Sequence, residues 1–203
     1  MSIARVKASS LTQGLPKRKT ILAGNDTILP GVYESIATVN GTGSSATLTF
    51  SSIPSTYTHI QIRGVLRSSS GSQNGVTMRF NSDSASNYAR HVLTNSPPTG
   101  ASASAVASGT NAGMGYFPGS SDLASVYGAV VLDVLDYTST NKAKTVRNLF
   151  GYDVNGVGGI VGLFSSLWFA TPAAITSITI SATNKGVANV LVSILTKKCS
   201  FSR

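Results

Sequence analysis

The clearest β-strand of the sequence is residues 58–67, which read THIQIRGVLR. Apolar and polar side chains alternate along it, and a β-strand places successive side chains on opposite faces. The positions that we expect to face a core are Ile60, Ile62 and either Val65 or Leu66. The positions that we expect to face solvent are His59, Gln61 and Arg63.

Segments of the same kind recur through the chain and are separated by turns that contain Gly, Asn or Pro. They are residues 33–39, 46–50, 58–67, 76–80, 88–93, 127–137, 144–150, 160–169, 175–180 and 187–195. No segment carries a helical stripe over three turns, and short strands at this spacing are typical of a sandwich or barrel. Residues 95–121, which are rich in Ser, Ala, Gly and Pro, are predicted to form a long loop.

Residues 1–31 differ from the rest, and we interpret them as a docking arm. They lack sustained periodicity and are interrupted by glycine and proline. Ordering such a segment costs about 1–2 kcal/mol per residue in backbone entropy, which its few apolar side chains do not offset. We therefore expect it to be ordered only against a partner, and the alternative is a disordered tail. The side chains expected to bind that partner are Arg5, Lys7, Leu15, Lys17, Arg18, Lys19, Ile21 and Leu22.

Charged residues make up only 11% of the chain, against about 25% in ordinary soluble proteins. The net charge of +9 is concentrated at the ends, because residues 1–31 hold five basic side chains and the tail, 197–203, holds three. The body, 32–196, is nearly neutral, whereas a nucleic-acid binder usually has a basic face on its folded domain. Basic ends suit acidic partners, but nucleic acid is not the partner that we expect.

The sequence has no membrane span, since no stretch approaches the roughly 18 consecutive apolar residues required. Its N-terminus also lacks the apolar segment of a secretory signal. We therefore expect synthesis in a cytoplasm and no membrane partner. The single cysteine, Cys199, allows neither an internal disulfide nor a cysteine-based metal site, so the fold must rest on apolar burial and backbone pairing.

The residues needed for catalysis are scarce. Nothing in the sequence places an orienting carboxylate beside either histidine, His59 or His91. Asp133 and Asp136 are three apart on a predicted strand, so they point to opposite faces and do not form a glycosidase pair. Residues 153–156, DVNG, open like a calcium loop but lack its later glutamate, and we expect an Asx turn. We predict no catalytic residue, no cofactor and no metal, against the alternative of a hydrolase.

Two aromatic residues indicate an alternative role in binding. Tyr116 and Phe117 lie within the predicted loop 95–121. If exposed there, their rings would be the candidate glycan contacts of a carbohydrate-binding module that recognises a host surface.

Residues 33–69, YESIATVNGTGSSATLTFSSIPSTYTHIQIRGVLRSS, resemble the opening of a β-sandwich found in many tailed-bacteriophage structural proteins. Three later segments are also similar to it: FNSDSASNYARHVL (80–93), DVLDYTSTNKAKTV (133–146) and ITSITI (175–180). The resemblance covers about 32–196 and implies a virion-surface protein of the tail-fibre, appendage or capsid-decoration type, which is usually homo-oligomeric. The C-terminal residues 195–203, LTKKCSFSR, depart from the Leu-Tyr-Gly-Ile-Lys-like end of such proteins.

Together, these features predict a single antiparallel, jelly-roll-like β-sandwich over residues 32–196, with the arm before it and the basic tail, 197–203, after it. The expected function is that of a non-enzymatic virion subunit of the tail or fibre apparatus or of the capsid decoration. The expected partners are capsid, portal, tail or fibre proteins and further copies of the chain, with a trimer favoured. A host surface glycan is the partner under the alternative role.

Overall fold

The computed structural model describes residues 33–43, 45–155, 158–183 and 187–197. These residues form twelve β-strands and no helix. The strands are β1 (Tyr33–Gly41), β2 (Thr47–Phe50), β3 (Ile60–Ser68), β4 (Asn74–Phe80), β5 (Tyr88–Ser96), β6 (Gly100–Gly109), β7 (Ala112–Phe117), β8 (Gly128–Val134), β9 (Lys144–Tyr152), β10 (Ile160–Trp168), β11 (Ile178–Ala182) and β12 (Val187–Lys197).

The strands form two antiparallel sheets. The large sheet has the order β1-β12-β3-β8-β9-β10-β5-β6, and the small sheet has the order β2-β11-β4-β7. Early strands pair with late ones, β1 with β12, β2 with β11, β3 with β8 and β4 with β7. This nested pairing defines a jelly roll, and β9, β10, β5 and β6 widen its large sheet. The prediction of an all-β, antiparallel, jelly-roll-like sandwich is confirmed.

The core lies between the two sheets and is built from the alternation that the sequence displays. On β3, Ile60, Ile62 and Leu66 are buried, whereas Val65 is exposed. Leu66 is therefore the inward member of the pair that the sequence left open. Each of the ten predicted strands overlaps an observed one.

The predicted loop over residues 95–121 is wrong, because this segment contains β6 and β7. Ala, Ser and Gly have low intrinsic strand propensity, but tertiary pairing overrides propensity. β6 runs beside β5, with Leu93 opposite Ala103, and β7 runs beside β4, with Met78 opposite Ala112. The two strands add pairing partners at the ends of the large and small sheets.

Asp83 organises the turn that follows β4. Its Oδ2 accepts hydrogen bonds from Trp168 Nε1 at 2.7 Å and from Asn87 Nδ2 at 3.0 Å, and its Oδ1 accepts one from the Ala85 N–H at 2.9 Å. Burial raises the pKa of this carboxyl, but the three hydrogen bonds and the nearby charge of Arg79 outweigh burial and hold the pKa below its usual value. The ionised form of Asp83 therefore stabilises the folded state.

Because the folded-state pKa of Asp83 is depressed, its contribution to stability is present above the ordinary carboxyl pKa. It is lost as the pH falls through the lower, folded-state value. We expect Asp83→Asn to reduce the free energy of unfolding at pH 7 by about 1 kcal/mol and to make the acid-induced loss of stability shallower. Chemical denaturation at a series of pH values measures both effects. Asp153→Asn, which removes an exposed negative charge, is the control, and a pH profile unchanged in Asp83→Asn contradicts the prediction.

Candidate assembly surface

An apolar row crosses the outer face of the large sheet. It consists of Val131, Leu149, Leu163, Leu93 and Ala103, which are direct cross-strand partners on β8, β9, β10, β5 and β6. The four larger side chains are each between 42% and 60% exposed. With neighbouring strands about 4.8 Å apart, the row extends over the width of five strands.

The surroundings of the apolar row divide into an apolar flank and a polar flank. Val65 and Val161 are exposed on one side and extend the apolar area. On the other side, Gln61 Nε2 donates to Asp133 Oδ1 at 2.8 Å. Arg63, which is the cross-strand partner of Val131 at the β3 end of the row, donates from Nε to Gln61 Oε1 at 2.7 Å. An apolar centre beside a hydrogen-bonded polar margin is typical of protein interaction surfaces.

Strand β6 ends the large sheet next to the apolar row and is unusually exposed. Eight of its ten residues are exposed, so neither face of the strand is covered along most of its length. Within the described residues, β6 makes no backbone hydrogen bond apart from its ladder with β5. Its sequence, GASASAVASG, contains neither proline nor charge, which are the usual means of blocking edge-to-edge pairing.

The free edge of β7 is protected, in contrast to that of β6. Asn148, a buried residue of β9, donates from Nδ2 to the carbonyls of Gly113 at 3.1 Å and Met114 at 2.8 Å. Its Oδ1 accepts the Phe164 N–H at 2.7 Å, and Ser166 Oγ accepts the Gly113 N–H at 3.4 Å. Two polar side chains of the large sheet therefore pair three backbone groups of β7, at Gly113 and Met114.

The expected exposure of Tyr116 and Phe117 is wrong. Phe117 is fully buried, and its ring lies 6.4 Å from that of Phe150. Tyr116 is half-buried, with its ring centroid 5.8 Å from Phe150 and 6.0 Å from Phe164. Because β7 carries both side chains against the large sheet, they do not form an exposed platform for a sugar.

Both histidines are exposed, as predicted for His59, but His59 has a neighbour that the sequence did not indicate. The Asp136 N–H donates to His59 Nδ1 at 2.9 Å, while the Asp136 carboxylate lies 3.8 Å from the same nitrogen. Since Nδ1 is an acceptor here, it does not donate to the carboxylate in the way that a catalytic triad requires. Asp136 instead accepts a hydrogen bond from Lys142 Nζ at 2.9 Å, which lowers the pKa of its carboxyl. Asp133 accepts one from Gln61.

Two buried cations were not anticipated from the sequence. Arg67 is only 7% exposed and donates to the carbonyls of Leu123, Val126 and Asp122 at 2.6, 2.7 and 2.8 Å. Lys144 is fully buried, and its Nζ donates to the Lys142 carbonyl at 2.8 Å and to that of Ser139. Burial lowers the pKa of Lys144. The Arg67 and Lys144 side chains therefore stabilise the loops that precede and follow β8, and neither residue belongs to the apolar row.

Two further predictions from the sequence concern the arm residues and the Asx turn at residues 153–156. The arm residues, Arg5 to Leu22, lie outside the described residues. The Asx turn is confirmed, because the Asn155 N–H donates to Asp153 Oδ1 at 2.7 Å.

In the part of the chain that the structure describes, no group of three or more His, Cys, Asp or Glu side chains is placed to hold a metal ion. Over the same residues, no helix has the length and apolar character needed to cross a membrane.

Comparisons with protein-family models, curated proteins and solved structures found no match. The described residues form an all-β jelly-roll domain whose large sheet presents an apolar row and an uncovered edge strand.

Proposed function

We propose that this chain is a non-enzymatic structural subunit that assembles with further copies of itself through the outer face of its large sheet. The observation that carries the proposal is the apolar row beside the uncovered strand β6. Fully burying one aliphatic side chain contributes about 1.5–3 kcal/mol, so covering four half-exposed ones favours association. A partner strand along β6 would also pair its free backbone groups.

The apolar row and the free edge of β6 would each be covered by a different contact between copies. Outer faces that pack together bury the apolar rows, whereas a neighbouring strand beside β6 extends the sheet. An assembly of more than two copies satisfies both contacts at once, and soluble homo-oligomers usually have closed point-group symmetry. The trimer that the sequence favours is one closed assembly of this size.

The resemblance of residues 33–69 to tailed-bacteriophage structural proteins supports a virion as the assembly. In that setting the chain is a subunit of the tail or fibre apparatus or of the capsid decoration, with its arm bound to a neighbouring virion protein. The low charge content fits this role, because burying hydroxyl and amide side chains against another protein costs less than burying charged ones. The alternative of a glycan-binding module on Tyr116 and Phe117 is not proposed, since those residues lack the exposure that it requires.

Deleting residues 2–31 is expected to abolish incorporation into particles while leaving a folded, soluble body. The physical reason is that the basic and apolar side chains of the arm supply the anchoring contacts in the proposal. Mass spectrometry of phage particles purified from bacteria that produce the full-length or the truncated chain measures incorporation. Circular dichroism of the truncated protein checks the fold. Full occupancy by the truncated chain would show that the arm is not the anchor, and absence of the full-length chain from all particles would refute the virion role.

A further inference from the structure

A second surface of interest lies on the outer face of the small sheet, away from the apolar row. A cavity of about 330 Å³ opens there beside β4 and β11. It is lined by Thr77, Arg79, Arg90, Asn111, Ser181, Ala182 and Thr183. Thr77 and Ser181 are cross-strand partners, and the neighbouring inward residue, Met78, is buried. Six of the seven lining residues are therefore polar or charged, and the volume lies at the lower end of the range of small-molecule sites.

The two arginines of this cavity are held in place by single hydrogen bonds. Arg79 Nε donates to the Thr110 carbonyl at 3.0 Å, and Arg90 Nη1 donates to Asn111 Oδ1 at 2.7 Å. A guanidinium carries five N–H donors, so most donors of both groups are not used by these contacts. Among the described residues, the ion pairs within 4.0 Å involve only His59, Lys142 and Asp136. Two half-buried cations thus line one cavity, and neither has a carboxylate within 4.0 Å among the described residues, although the charge of Arg79 contributes to the lowered pKa of the Asp83 carboxyl.

The chemistry of the lining indicates the kind of ligand. A guanidinium fork matches a carboxylate or phosphate, which it binds with two parallel hydrogen bonds. The hydroxyls of Thr77, Ser181 and Thr183 and the amide of Asn111 match the hydroxyl groups of a sugar. Thr183 Oγ1 donates to the Gly75 carbonyl at 2.8 Å, which leaves its oxygen available as an acceptor. We propose that this cavity binds the carboxylate-bearing unit of an acidic saccharide, with Arg79 and Arg90 as the carboxylate ligands. This site is independent of the proposed assembly role.

The test is titration calorimetry of the full chain with three probes. These are a galacturonic-acid trisaccharide, its neutral methyl ester and inorganic phosphate. We expect the acidic trisaccharide to bind. Its binding should weaken in high salt and be lost on esterification, because the guanidinium–carboxylate contact is charge-assisted. No binding of the acidic trisaccharide would overturn the proposal. Phosphate that binds as tightly as the trisaccharide would overturn its saccharide part and leave a simple anion site.

Substitutions assign the binding to this cavity. We expect Arg79→Gln and Arg90→Gln each to weaken trisaccharide binding about 10- to 100-fold, the size of one lost charge-assisted hydrogen-bonding partner. Arg147→Gln removes the same charge from an exposed position on β9 and is expected to leave binding unchanged. Arg79→Lys retains the charge but not the fork, so it should bind less tightly than the wild-type chain. Thermal melts check that the variants fold. Equal losses in folded Arg147→Gln and Arg79→Gln would place the binding elsewhere.

Discussion

Asn148→Ala is expected to lower the free energy of unfolding by about 3 kcal/mol, because it leaves three buried backbone groups without their partner. These groups are the carbonyls of Gly113 and Met114 and the N–H of Phe164. Asn148 joins β9 and β10 of the large sheet to β7, the edge strand of the small sheet. The loss should therefore loosen the packing of one sheet on the other. Urea denaturation of the full chain measures the change.

Two variants make this prediction specific. Asn95→Ala removes an exposed asparagine of β5 and is expected to change stability by less than about 0.5 kcal/mol. Asn148→Asp retains an acceptor for Phe164 but turns an oxygen toward two carbonyls, so it should be at least as destabilising as the alanine variant. If Asn148→Ala and Asn95→Ala have the same stability, Asn148 does not protect the edge of β7.

Leu149→Lys combined with Leu163→Lys is expected to weaken self-association by more than about 100-fold. The two leucines are cross-strand partners at the centre of the apolar row. Because they are about half exposed, each loses about half of the 1.5–3 kcal/mol that full burial contributes, and the desolvation of two ammonium groups in the interface adds to the loss. Both side chains are exposed in the single chain, so the folded state itself should be retained. Light scattering over a range of concentrations measures the association.

The matched control for this variant lies on the opposite sheet. Thr49 and Thr179 are cross-strand partners on β2 and β11, outside the core. Thr49→Lys combined with Thr179→Lys adds the same two charges on neighbouring strands and should leave self-association intact. Equal dissociation in the two double variants would indicate that charge alone, and not the apolar row, controls assembly.

The strands of the sandwich were predictable from sequence where side chains alternate strongly. Ile60 and Ile62 had to share a face because successive residues of a strand point to opposite sides. β6 was not predictable in this way, since Gly, Ala and Ser show neither strand propensity nor apolar alternation. Only the pairing of Leu93 with Ala103 and of its neighbours defines the strand.

The candidate surface depends on sheet order, which a single sequence does not display. Leu93 and Leu163 are seventy residues apart, yet they are direct partners because β5 lies beside β10. The same limitation applies to Lys144 and Arg67, which look like surface residues in the sequence but are buried with backbone carbonyls as partners. Tyr116 and Phe117 were misplaced because the loop assigned to them is a strand.

The most direct test of the assembly proposal is sedimentation equilibrium of the unmodified full chain up to about 100 μM, a concentration at which interfaces of modest affinity are occupied. The proposal predicts a species larger than the monomer, with the mass of a trimer favoured, and its conversion to monomer in the Leu149→Lys and Leu163→Lys double variant. A wild-type chain that keeps the monomer mass throughout this range would contradict it.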